Sequence, residues 1–288
     1  RGPRRRTVRE GPAAGHEVLS NPTSARISRV AGLSRRNARA KHRRFLVEGP
    51  QGVREAVRHA PGRVLDVYLT EAALERHSEI WDEAVAAGLY VHVTTQQVMD
   101  AMSPDAQGLL AVVATEEATG SEALAAALEG ARLVAVLAQA QDPGNAGTII
   151  RAADAAGADA VVLVRGSVDP TAPKVVRSTA GSLFHLPVVT GVALDDAVTA
   201  LHNAGLTVLA ADGRGDFDLF EAESLLEAPS AWLLGNEAHG LPSEALSRAD
   251  AVVSIPIYGK AESLNVAAAA AVCLYASARA QAQNSGRS

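Results

Sequence analysis

Three short stretches of the chain bring together residue types that can do chemistry. The first, Asn145-x-Gly147-x-x-x-Arg151, sets an amide, a glycine and a cation in the loop DPGNAG and the helix it opens. Glycines at a helix N-terminus let backbone N–H groups approach an anion. Arg151, expected in the first turn of that helix, faces the positive end of the helix dipole, so it points to an anionic partner or to a surface salt bridge. The second stretch, Leu234 to Leu241, leaves an apolar strand through a polar turn, with Gly235 and Gly240 bracketing Asn236 and Glu237. The third runs from Ile255 and Ile257 through Gly259 to Ser263-Leu264-Asn265 and into a helix with five consecutive alanines. Apolar strand ends beside exposed backbone groups suit a small-molecule pocket. A dinucleotide site fits poorly, since only Gly144-x-x-Gly147 of the G-x-G-x-x-G pattern is present. The eight histidines have no metal-ligand spacing, so no metal is expected, and His239 reads as a loop residue.

These loops need a scaffold, and the pattern around them supplies one. Leu133–Leu137 is an unbroken apolar run, as expected of a parallel strand buried on both faces. The spacing predicts a helix over 148–156 and a strand over 160–164. Further strands are predicted at 187–189, 207–211, 232–234 and 252–257, with a helix at 195–204. Repeated βα units predict a mostly parallel sheet with its ligand beyond the carboxyl ends of the strands. Asp212-Gly213-Arg214-Gly215 is a turn after one of those strands and a candidate lip of the site. Phe184 and His185 are expected to pack under it. In the alanine-rich helix, Leu264, Ala268, Ala271 and Tyr275 mark one face, and Val266, Ala270, Cys273 and Ser277 another. Being apolar nearly all round, this helix is predicted to be buried, with a serine cap.

Upstream lies a second α/β pattern. Ser24 can cap a helix bearing Ile27, Val30, Ala31 and Leu33, with Arg26, Arg29, Arg35 and Arg36 outside it. Strands are predicted at 45–47, 64–69, 90–93 and 108–114, and helices at 51–59, 71–87 and 96–101. The expected organisation is a basic disordered tail over 1–20 and a first domain over 21–115. An acidic, alanine-rich stretch over 116–130 follows, either a helical linker or the first element of the second domain, which continues over 131–288.

The net charge of −5 over 288 residues hides a division. Residues 1–63 hold 16 Lys and Arg against 4 Asp and Glu, and the remainder holds 11 against 28. A segregated basic block marks a nucleic-acid surface. The 48% hydrophobic and 20% charged composition is that of a globular chain. The longest apolar run is too short to span a bilayer, and the single Cys273 excludes a disulfide framework, so a reducing cytoplasm is the expected location.

Taken together, N-x-G-x-x-x-R, G-N-E-x-x-G-L and I-P-x-x-G-x-x-x-S-L-N are specific. With Lys174 to Pro187 between them, they resemble the SpoU (TrmH-like) family of RNA ribose 2′-O-methyltransferases of the SPOUT class. Arg43 to Gly49 is similar to the opening of that family's substrate-binding domain, which itself resembles ribosomal protein L30e. The resemblance covers about 21–279. It implies an α/β fold whose C-terminal, mostly parallel sheet carries a trefoil knot, with S-adenosyl-L-methionine as cofactor and a homodimer formed through the catalytic domain. It implies cofactor contacts at Leu234, Gly235, Asn236, Gly240, Ile255, Ile257, Ser263, Leu264 and Asn265. It points to Arg151, Asn145, Glu237, Ser263 and Asn265 as the reacting set, with Glu237 holding loop geometry by a pairing with Arg151. Arg35, Arg36, Arg39, Lys41, Arg43 and Arg44, with Lys174 and Arg177, are the candidate RNA contacts. Ribosomal RNA of the 23S type ranks ahead of transfer RNA as substrate, and a non-catalytic RNA-binding protein of the same fold is the competing class.

Overall fold

The computed structural model describes residues 17–116 and 118–285, which fall into two units meeting between Thr115 and Glu116. The first unit is built on strands β1 (Val18–Leu19), β2 (Arg44–Glu48), β3 (Val64–Thr70), β4 (Val91–Thr94) and β5 (Leu109–Ala114). They lie in the order β1-β4-β3-β5-β2. β1, β4 and β3 run parallel, and β5 is antiparallel to both β3 and β2. Ile27, Val30 and Leu33 cover one face together with Val98, Met99 and Met102 of helix Gln96–Met102. Ser24 accepts the Ile27 N–H at 3.4 Å and so starts helix Ala25–Gly32 at the predicted place.

Three expectations for this unit need correction. Val18 and Leu19 pair with Val93 and Thr94, so the stretch expected as a disordered tail ends in a strand; residues 1–16 lie outside the described residues. The predicted helix over 71–87 breaks into Glu71–Arg76 and Ser78–Ala86 at His77, whose backbone leaves the helical region. Arg39 is not an RNA contact. It is 5% exposed, and its guanidinium donates to the carbonyls of Leu33 (3.2 Å) and Ser34 (2.8 Å), satisfying the open end of the preceding helix. Arg35, Arg36, Lys41, Arg43 and Arg44 are exposed.

The second unit carries β6 (Leu133–Leu137), β7 (Ala160–Leu163), β8 (Val188–Val189), β9 (Thr207–Ala211), β10 (Phe217–Asp218), β11 (Ser230–Leu234) and β12 (Ala251–Ser254). The order is β10-β12-β9-β11-β6-β7-β8, and every neighbouring pair is parallel. Because every crossover returns over a face of the sheet, both faces are covered. This is why the five residues of β6 and of β11 are all buried. Helices Pro143–Ala155 and Val266–Ser285 cover one face, burying Ile149, Ile150, Ala270, Cys273 and Leu274 against Leu137, Leu209 and Trp232. Trp232 Nε1 donates to Ser277 Oγ at 2.9 Å, so neither buried polar atom is orphaned. Helices Gly120–Leu128, Leu194–Asn203 and Ser243–Arg248 cover the other face.

Leu124 and Leu128 are buried in this second core, and Thr119 bridges to Thr190. Residues 118–130 are therefore an integral layer of the second unit, not a linker. The alanine-rich helix is not buried all round. Ala270, Cys273 and Ser277 are fully buried, whereas Leu264 is 41% and Tyr275 54% exposed, with Ala268 between them also exposed.

Candidate active site

β6 and β11 are neighbours at the centre of the sheet, where the strand order reverses, and their carboxyl ends open the crevice in which such sheets place ligands. The chain after β6 does not leave an open loop of backbone N–H groups at a helix N-terminus, as the glycines of DPGNAG suggested. Helix Pro143–Ala155 begins five residues earlier than predicted, with Asp142 as its cap: the Asn145 N–H donates to Asp142 Oδ1 at 2.7 Å. The anion-binding end of the helix is thus filled by a carboxylate of its own chain. Gly147 serves packing. A β-carbon there would lie 2.4 Å from Ser178 Cβ and 2.6 Å from the Val175 carbonyl oxygen, on helix Pro173–Ser178. Arg151 accordingly sits in the third turn, not the first. It is exposed, and about 240° around the helix from Asn145.

The loop after β11 is braced to the loop after β6. Asn236 donates through Nδ2 to the Gln139 carbonyl at 2.8 Å and accepts the N–H groups of Ala238 (2.9 Å) and His239 (3.3 Å). Asn236 and Gly240 exchange backbone hydrogen bonds of 3.1 and 2.9 Å. Gly235 is obligatory in this turn, because a β-carbon would come within 2.5 Å of the Gly240 backbone. The Glu237 carboxylate accepts the N–H groups of Gln141 and Asp142, each at 3.3 Å, so it grips the first loop by its backbone; that takes the place of the expected pairing with Arg151.

The third loop is tied in by Asn265. Its Oδ1 accepts the N–H groups of Ala267 (2.9 Å) and Ala268 (3.3 Å), making Asn265, not Ser263, the cap of the long helix. Its Nδ2 donates to Asn145 Oδ1 at 3.1 Å. One side chain therefore both starts a helix and sets the Asn145 amide.

Between the second and third loops and the end of β9 lies a cavity of about 440 Å³, within the roughly 300–1,000 Å³ of small-molecule sites. Gly235, Asn236, Glu237 and Gly240 form one wall, and Ile255, Ile257, Ser263, Leu264 and Asn265 the opposite one. Leu234 does not line it and is 1% exposed, supporting the wall from behind. Asp212 and Gly213 close the lip, and Ala211, Val253, Glu262, Val266 and Ala269 complete the lining. The sequence singled out the first two of these through their turn. Of the other five, Ala211 and Val253 line the cavity because their strands end there, Val266 and Ala269 because the long helix starts there, and Glu262 is a carboxylate of the third loop that no motif marked. Asp212 is held below the usual carboxylate range by the Arg214 guanidinium, which donates to both its oxygens at 2.8 and 2.9 Å, so the lip carries a fixed carboxylate. Cys273 lies beneath, its thiol pushed up to about 12 by burial, and plays no part as a nucleophile. His185 bonds Asp154 Oδ2 at 2.7 Å, as does Ser182 Oγ, and the three lock the end of helix Pro143–Ala155.

A family model described as the SpoU rRNA methylase family matches residues 132–275, the stretch that builds the sheet and the cavity. The chain belongs to the SpoU rRNA methylase family. Residues 46–119 match the RNA 2′-O ribose methyltransferase substrate-binding family. As a SpoU enzyme the chain is an S-adenosylmethionine-dependent RNA 2′-O-methyltransferase of mixed α/β fold. It is 35% identical to the 23S rRNA (guanosine(2553)-2′-O)-methyltransferase RlmP of Bacillus subtilis, over 84% of this chain and 92% of that one. It is 34% identical to the 23S rRNA (uridine(2479)-2′-O)-methyltransferase of Streptomyces viridochromogenes, over 86% of each. Among solved structures, the SpoU methyltransferase AviRb of the same organism, in complex with AdoMet, superposes with a TM-score of 0.76 at 30% identity, covering 90% of this chain and all of that one. The cavity fits that cofactor: it is of the right size, has apolar Ile255, Ile257 and Leu264 for a flat ring, and offers glycine-lined backbone for polar edges.

Proposed function

We propose that this SpoU enzyme methylates the 2′-hydroxyl of one ribose in 23S rRNA, acting in the cytoplasm as a homodimer. The carrying observation is the braced cavity at the β9, β11 and β12 ends, whose walls are the residues that the motifs single out. The named 23S rRNA activities of the relatives favour ribosomal over transfer RNA.

Bound in the cavity, S-adenosylmethionine supplies an electrophilic methyl on a sulfonium. The chain's own residues do the rest. Leu264, Ile255 and Ile257 hold the adenine, and the backbone of Gly235, Asn236 and Gly240 reads its edge and the ribose. Asn145, held by Asn265 at 3.1 Å, and Ser263 orient the attacking hydroxyl. Glu237 keeps the two loops in register. The guanidinium of Arg151 stays protonated, so it grips a phosphate beside the target and stabilises the developing alkoxide, and the phosphate takes the proton. Much of the acceleration comes from aligning hydroxyl, methyl and sulfur.

Arg151 is exposed and lies about 240° around its helix from Asn145, so a second copy that brings its own Arg151 to Asn145 is the arrangement that a dimer would supply. The exposed row Leu264, Ala268, Tyr275, with the half-buried Ala271, is the apolar surface for that contact. The resemblance adds a trefoil knot in the catalytic domain, and the small residues Gly235 and Ala267 to Ala271 would let chain segments thread closely. Arg35, Arg36, Lys41, Arg43 and Arg44 of the substrate-binding unit, and Lys174 and Arg177 near the site, face the RNA backbone.

The test is transfer of labelled methyl from S-adenosylmethionine to RNA of a strain lacking the gene, followed by mapping of the modified ribose. Label in one 23S position is expected. Label confined to transfer RNA would replace the substrate, and none in any RNA would remove the activity.

A further inference from the structure

The first unit contains a second concavity, of about 180 Å³, at the edge of the face that helix Ala25–Gly32 covers. Register sets its members side by side. Arg44 precedes Leu46 on one face of β2, Leu46 pairs with Val112 and Val112 with Asp66; Tyr68 follows Asp66 on the same face of β3, His42 completes the lining, and His92, which pairs with Tyr68, stands outside it. The helix contributes Arg26 and Arg29 to the mouth, and Val30 and Leu33 to an apolar floor. Asp66 Oδ1 is 2.8 Å from His92 Nε2, and the His92 ring stacks on Tyr68 with centroids 4.9 Å apart at 27°. Arg26, Arg29 and Arg44 are exposed, and none is ion-paired to a described residue. Three guanidinium groups thus surround a single carboxylate over an apolar and aromatic bottom.

We propose that this pocket takes one unpaired nucleotide of the RNA substrate, its base entering toward Asp66 and Tyr68 and its phosphates held by Arg26, Arg29 and Arg44. The proposal rests on the RNA methyltransferase reading above and adds a substrate subsite to it. Guanidinium forks match phosphate oxygens in pairs. Sequence-specific RNA recognition works on splayed-out bases, taken against aromatic surfaces and bonded on their Watson–Crick edges. The volume is below the roughly 300–1,000 Å³ of a site for a whole small molecule, so it admits a base with the phosphates left at the mouth. Asp66 accepts only, and a carboxylate has lone pairs to spare beyond the one facing His92. Guanine alone presents two adjacent N–H donors, at N1 and the 2-amino group, so guanine is the favoured occupant. Arg39 is excluded from this surface by its two carbonyl bonds.

The experiment uses the full chain and fluorescently labelled heptanucleotides of uridine with guanosine, inosine or adenosine at the centre, read by anisotropy over a salt series. The guanosine oligomer is expected to bind best. Asp66→Asn should erase its advantage over inosine. Arg29→Ala with Arg44→Ala should weaken binding about tenfold and flatten the slope of log K against log salt by about 1.4, two phosphates' worth on a single strand. The corresponding double lysine variant, which keeps the charges, should keep the slope. A 6-thioguanosine at the central position should photo-crosslink in the wild-type protein to the peptides holding Asp66, Tyr68 or Val112, a readout free of any folding defect in a variant.

Wild-type affinity and slope in the double alanine variant, a guanosine preference that survives Asp66→Asn, or crosslinks mapping elsewhere would each overturn the subsite. Guanosine monophosphate displacing the heptamer at equal concentration would reassign the pocket to a free nucleotide and overturn the RNA assignment. Methyl transfer measured in parallel separates the two readings. Intact transfer with a negative oligomer result removes the pocket alone, whereas no transfer to any RNA removes the activity and leaves the oligomers to decide the pocket.

Discussion

Asn265 joins helix capping and site geometry in one side chain, so its two duties can be separated by substitution. Asn265→Ala should cost about 1 kcal/mol for the lost cap, seen as a fall of a few degrees in Tm, and should also lower turnover by freeing Asn145. Asp at 265 keeps an acceptor for Ala267 and Ala268 but loses the donor to Asn145, so it should recover Tm in a thermal melt and not turnover. Arg151→Ala should abolish methyl transfer while leaving cofactor affinity by calorimetry within a few fold, since Arg151 does not line the cavity. Lys there keeps the charge but not the fork and should restore little. Two buried acids set an alkaline limit: burial pushes Cys273, ordinarily at 9.0, and Tyr68, ordinarily at 10.0, up to about 12. Below pH 9 both are neutral folded or unfolded and stability is full. As pH rises from 9 toward 12 only the unfolded chain ionises, so stability falls. Melting temperatures across that range should decline, and less steeply in Tyr68→Phe.

Packing around the site depends on two glycines, one between helices and one within a turn, and each predicts a different loss. Gly147→Ala drives a methyl into Ser178 and the Val175 carbonyl, and overpacking of this kind costs roughly 1–3 kcal/mol. It should lower the denaturant midpoint without removing cofactor binding. Gly235→Ala meets the Gly240 backbone, which cannot rotate away, so cofactor affinity in calorimetry should collapse. The sequence made both glycines visible but assigned Gly147 to ligand approach. What it could not reveal was the partner, helix Pro173–Ser178, brought there by a crossover with no local signature. The same holds for the start of helix Pro143–Ala155: Asp142-Pro143 is a sound cap and first-turn pair, and the glycines after it drew the reading toward a loop. A continuous apolar strand such as β6 was legible to the residue because burial on both faces leaves no polar position to blur its ends. The two-residue strands β1 and β10 were not, since pairing alone defines them. Motif residues around the cavity were legible because their chemistry is unusual; Val253 and Ala269 were not, because nothing but position distinguishes them. Arg39 misled because charge shows in sequence and burial does not.

Across the whole molecule, the basic block of residues 1–63 lies inside the first unit, and the rest of the chain, residues 64–115 included, is acidic. Expression from Glu116 onward should give a folded, cofactor-binding protein, because the second unit closes cores on both faces of its own sheet. It should bind RNA more weakly and with a shallower salt dependence. An unchanged slope would place the RNA footprint elsewhere. Ala268→Arg, on the exposed side of the long helix, should shift light scattering toward monomer and reduce turnover if the second copy supplies Arg151. Ala270 is unsuited to that test, being fully buried within its own core. The all-parallel order has a further consequence, in time. β6 pairs on one side with β11, which the ribosome makes roughly ninety residues later. At 5–20 residues per second the apolar edge Leu133–Leu137 therefore waits about 5–20 s for its partner. A nascent chain with so long an open edge is a customer for chaperones, and yield on rapid expression should be limited by that delay, not by the stability of the finished fold.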